Sequence, residues 1–109
     1  MALALNVFRT ITSIATASQV GIYTAPVGYS GVVLLAQAAN VTPNTYNVTL
    51  SHKRSNTTTE LAKDLSVPGN DSLSLISGRL VLQQGDSLVL SANAANGIKL
   101  TVSLLETLN

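Results

Sequence analysis

The stretch IYTAPVGYSGVVLLAQAANV, Ile22 to Val41, decides the fold. Its Ala25-Pro26-Val27-Gly28 segment carries the chemistry of a reversal, because proline fixes φ near the value needed early in a turn and glycine accepts the positive φ that closes one. Tyr23 and Val32 therefore belong to separate strands. From Gly31 onward the pattern GVVLLAQAAN is apolar on both parities, with Val33, Leu35 and Ala39 on one side and Val32, Leu34, Ala36 and Ala38 on the other. A strand of this kind is central and doubly covered, either by its own fold or by another chain. Val32, Val33, Leu34 and Leu35 are accordingly the expected core or subunit contact.

On the N-terminal side, Gln19 to Thr24 reads as a short strand bearing Val20 and Ile22. Before it, Leu5 to Ile14 alternates imperfectly, with Val7 and Ile11 on one parity and Phe8 and Ile14 on the other. Residues 1–18 are expected to supply an N-terminal strand or an extended docking arm, with Phe8 and Ile11 as its contact residues. The opening segment lacks the basic start of a signal peptide, and Asn6, Arg9 and Thr10 interrupt its apolar run, so it is read as part of the fold.

On the C-terminal side, Thr42-Pro43-Asn44 supplies a turn and Thr45 to Arg54 alternates cleanly, with Tyr46, Val48, Leu50 and His52 on one face. The Ser55-Asn56 corner returns the chain into Thr57 to Val67, where Lys63 falls among Leu61, Leu65 and Val67 and marks an edge or a rim. Pro68-Gly69-Asn70-Asp71 is the strongest turn signal. Strands at Leu73 to Ile76 and Arg79 to Leu82 follow, then the Gln84-Gly85-Asp86 turn and Leu88, Leu90 and Ala92 in alternation. The last strand sets Ile98, Leu100, Val102 and Leu104 against Lys99, Thr101 and Ser103.

About eight short strands at roughly ten-residue spacing predict a single all-β domain. The expected form is an antiparallel β-sandwich of jelly-roll or immunoglobulin-like type, with a small barrel as the other solution. At 109 residues there is material for one core only. Charged residues are 10% of the chain and the net charge is +1, which implies neither a nucleic-acid partner nor an acidic ligand. No apolar run is long enough to cross a membrane as a helix. A weakly charged, aliphatic, Ser/Thr-rich surface suits a protein that lives in an assembly, and a symmetric homo-oligomer is expected.

Chemistry is sparse. Cysteine is absent, so there are no disulfides and no thiolate metal ligands. The sole histidine, His52, precedes Lys53 and Arg54 beside a hairpin tip, and no carboxylate near it in sequence would orient it as a base. It is expected to be a solvated loop end. Glu60, Asp64, Asp71, Asp86 and Glu106 are scattered, and in turns Asp serves to accept local backbone N–H bonds. No catalytic residue, metal site or cofactor is predicted. Carbohydrate binding favours exposed aromatic platforms, and Tyr23, Tyr29 and Tyr46 are the tyrosines that would supply them.

The series IYTAPVGYSGVVLLAQAANVT (Ile22 to Thr42), VPGND (Val67 to Asp71), GRLVLQQGDSLVL (Gly78 to Leu90) and LTVSLLETLN (Leu100 to Asn109) resembles small structural proteins of tailed bacteriophage particles. It looks most like those of contractile-tailed, T4-like phages of cyanobacteria and other marine bacteria. The resemblance implies a non-enzymatic virion component, either a capsid decoration or cement protein or an accessory of the tail or baseplate. Its implied partners are the major capsid or tail proteins. A host-surface glycan-binding module of a tail fibre is the alternative expectation.

Overall fold

The computed structural model describes residues 6–108. Among these residues nine strands make up the fold: β1 (Asn6–Ile14), β2 (Val20–Thr24), β3 (Tyr29–Asn40), β4 (Tyr46–Arg54), β5 (Thr57–Val67), β6 (Ser72–Ser74), β7 (Leu80–Leu82), β8 (Ser87–Ala92) and β9 (Ile98–Leu108). They form two antiparallel sheets. The first has the order β1-β9-β3-β6, with β7 also on the free side of β3, and the second has the order β2-β8-β4-β5.

Because β6 and β7 pair with different parts of the same edge of β3, they act as one interrupted strand. Counted that way, the first strand pairs with the last, the third with the sixth, the second with the seventh and the fourth with the fifth. This is a long hairpin ribbon rolled into a sandwich, the jelly roll. The pairing selects that topology over the immunoglobulin-like order. Turn chemistry fits the expected corners: Gly28 and Gly85 take φ of 85° and 86°, and Ser55 takes 54° at the β4–β5 hairpin. The Pro26 carbonyl accepts from Tyr29 N at 3.1 Å, so the reversal begins one residue later than the Ala25 start read from the sequence.

The core lies between the sheets. Val33, Ala36, Ala38, Ile98, Leu100, Val102 and Leu104 face inward from the first, against Val48, Leu50, Leu88 and Leu90 from the second. Burial of these aliphatic side chains drives the closure. In β3 the double apolar pattern has a specific resolution. The register with β9 shifts between Val33 and Leu35, leaving Leu34 as an extra residue. A bulge of this kind resets the alternation. Val33 is fully buried, Leu34 and Leu35 both face out at 39% and 37% exposure, and Ala36 is buried again. The strand is central as expected, but within this chain only one of its faces is covered.

The segment Asn6–Ile14 is a full member of the first sheet, in register with β9 from Asn6 opposite Thr107 to Ile14 opposite Lys99. The earlier part of the expected strand or arm lies outside the described residues. Lys63 sits on β5, an edge strand as expected, beside Asp64 at a positive φ of 49°.

Candidate interaction surface

The outward face of the first sheet is built from alternate residues of its strands. Cross-strand register places Phe8 opposite Leu105, Leu105 opposite Val32, and Val32 opposite Val81. The four residues form one apolar row across β1, β9, β3 and β7. Phe8 is 75% exposed and Val81 54%. The bulge adds Leu34 and Leu35 beside the row, and Leu35 continues through Ser103 to Thr10. Further along, the face is made of Thr12, Thr101 and Gln37, and the strands place one charged residue on it, Lys99, at its far end. An apolar row exposed at Phe8 and Val81 and rimmed by hydroxyls has the character of a contact surface.

The six residues expected to make subunit contacts divide between two faces. Phe8, Val32, Leu34 and Leu35 point outward, and Val33 is core. Ile11 lies on the opposite parity of β1 from Phe8 and packs against the core. Leu105 and Val81 belong to the row but escape a reading strand by strand, since only register brings them to Phe8 and Val32.

One end of the sandwich is closed by polar groups. Asp86, 2% exposed, accepts from Arg54 Nε at 2.9 Å, Arg54 Nη2 at 2.7 Å and the Gln83 backbone N–H at 2.9 Å. His52 Nε2 lies 3.0 Å from the same carboxylate, which when ionised can only accept, so Nε2 carries the hydrogen. The Arg54 hydrogen bonds hold the Asp86 carboxyl well below the usual carboxylate range, against the opposing effect of burial, with His52 and Gln83 reinforcing them. His52 is thus not a solvated loop end. Its side chain is 17% exposed, and its carboxylate arrives from 34 residues away. The local backbone bond expected of a turn Asp is present, with three side-chain contacts added.

Glu106 continues the inward parity of β9 beyond Leu104 and is 6% exposed. It accepts from the Tyr23 hydroxyl at 2.6 Å and pairs with Arg9 at 3.4 Å. Burial first, and the bond to Glu106 second, push the Tyr23 hydroxyl well above the usual tyrosine range. Leu88 stands between Tyr23 and His52 in one cross-strand row, so both polar clusters close the same end. Each carboxylate is committed to partners within the chain, which is a structural arrangement. No group of His, Cys, Asp and Glu able to hold a metal ion occurs among the described residues.

Two tyrosines considered as sugar platforms are occupied: Tyr23 is buried and Tyr46 packs against the core. On the side of the sandwich between β5 and the β6–β7 interruption lies an apolar groove of about 650 Å³, lined by Leu61, Leu65, Leu75, Ile76 and Leu80, with Arg79 also on its wall.

No family model matches the chain, and no curated protein matches it. Among solved structures, a chain of the Bacillus endospore appendages, described as a novel family of disulfide-linked pili, is 13% identical over 100% of this chain and 97% of its own, with a TM-score of 0.44. That likeness is too distant to carry an argument, and this chain has no cysteine.

Proposed function

We propose that this chain is a non-enzymatic structural protein of a bacteriophage particle, a capsid decoration or cement protein or an accessory of the tail or baseplate. It acts by burying the outward face of its first sheet against another virion subunit. The observation that carries the reading is the apolar row Phe8, Leu105, Val32 and Val81 across the outward face of the first sheet, exposed at Phe8 and Val81. The sequence resemblance to small phage structural proteins supports the same placement. Jelly rolls occur in viral capsid domains, but also in lectins and cupins, so the fold is compatible without choosing.

The test is cryo-electron microscopy of purified particles of the phage that encodes the chain. Regular copies on the capsid lattice, with the first sheet facing the shell, identify a decoration or cement protein. Copies at the neck, tail or baseplate identify a tail accessory. Absence from purified particles overturns the proposal. Added back to particles that lack it, the protein with Val32→Glu and Leu35→Glu is expected to remain unbound where the unaltered chain binds.

A further inference from the structure

A sandwich of two open sheets has free strand edges, and an edge is a template for pairing unless something blunts it. Three of the edges here are blunted. β2 is five residues long, with a register shift between Gly21 and Tyr23. β5 carries exposed Glu60, Lys63 and Asp64, two register shifts against β4, and the positive φ of Asp64. The fourth strand position of the first sheet is split into β6 and β7, three residues each. The remaining edge is different. β1 runs for nine residues without a register shift, has no proline, and bears one charge, Arg9, whose guanidinium pairs with Glu106 of its own sheet.

We infer that β1 pairs antiparallel with β1 of a second copy, joining the two first sheets into one. The residue order itself points to the second copy as occupant. About a two-fold axis at Ile11, Phe8 of each copy faces Ile14 of the other, Thr10 faces Thr12, Arg9 faces Ser13 and Ile11 faces Ile11. No like charges meet. The exposed apolar residues of the strand, Phe8 at 75% and Ile14 at 50%, are matched with each other, and threonine is matched with threonine. Pairs of these kinds stabilise antiparallel ladders. Such an edge contact is narrow, so the dimer is reversible and depends on concentration. The pairing stands on the edge and not on the outward face, and it holds whether or not that face docks on a particle.

The test uses sedimentation equilibrium on the purified chain with substitutions at exposed Thr10 and Thr12. Thr10→Lys with Thr12→Lys sets lysines opposite each other twice and is expected to weaken the dimer about tenfold or more. Thr10→Lys with Thr12→Glu sets opposite charges across the axis and is expected to retain it. A register centred on Thr10 would instead oppose lysine to lysine, so loss of the dimer in this second variant overturns the assignment. Phe8→Cys with Ile14→Cys, in a chain that otherwise has no cysteine, is expected to give a covalent dimer on oxidation, and either substitution alone is not. A monomer at all concentrations overturns the inference, as does a dimer indifferent to both charge variants. A dimer lost with Val32→Glu and Leu35→Glu but kept with paired lysines belongs to the outward face, and likewise overturns it.

Discussion

The Tyr23 hydroxyl donates to the Glu106 carboxylate at 2.6 Å across the sandwich, from β2 of one sheet to β9 of the other. It ties the two sheets together at one end of the sandwich, as the buried Asn40 Nδ2 bond to the Val67 carbonyl ties β3 to β5. Removing the hydroxyl leaves a buried carboxylate with only the longer Arg9 contact. Tyr23→Phe is expected to lower unfolding stability by about 1–3 kcal/mol. Urea denaturation would read the loss, and an unchanged midpoint would mean that the bond contributes nothing.

Asp86 predicts an acid limb. Its folded carboxyl is held below its unfolded value, mainly by Arg54, so the stability it contributes is fully present above the unfolded value of about 3.9 and is lost as pH falls toward the folded one. Asp86→Asn is expected to be less stable than the unaltered chain at neutral pH, with a smaller further loss on acidification. Parallel stability curves of the two proteins from pH 7 down to about pH 2 would refute the assignment.

Asn40 is a buried polar residue that organises the β3–β4 connection. Its Nδ2 donates to the carbonyls of Asn44 at 2.6 Å and Val67 at 3.0 Å, and its Oδ1 accepts from Thr42 N and Oγ1. Asn40→Ala orphans several of these groups, and a loss of about 2–3 kcal/mol is expected in thermal or urea unfolding.

Gly69 tests close approach. A Cβ there would run into the Pro43 backbone carbonyl, whereas one at Gly21 would meet nothing. Gly69→Ala is expected to cost about 1–3 kcal/mol, and Gly21→Ala to stay within about 0.5 kcal/mol. Equal effects at the two sites would contradict the packing of these loops.

Much of the fold was legible because strand alternation and turn residues are local signals. β9 alternates as its sequence does, and Gly28, Gly85 and Ser55 take the special φ values that turns require. The outcome at Leu34 was not legible, since a bulge depends on register with β9 and moves two leucines to one face. Nor was the environment of His52, whose carboxylate partner Asp86, shared with Arg54, is brought to it only when β4 and β8 pair. Glu106 did leave a signal: it is the next even position after Ile98, Leu100, Val102 and Leu104, and a charge on a buried parity demands a partner. Half of the interaction surface could be found in β1 and β3. The rest, Leu105 and Val81, required the sheet order.

The place of β9 in the first sheet also bears on synthesis. β9 separates β1 from β3, so a nascent chain on the ribosome that has made every earlier strand still lacks the central member of that sheet. Until residues 98–108 emerge, β1 has no ladder and the inward leucines and valines of the second sheet have only part of their cover. β1 must wait for β9, and until then folding as the chain is translated stalls short of a closed sandwich. Nascent chains translated only as far as β8 therefore expose apolar surface that the finished sandwich covers, which makes them natural clients for chaperones.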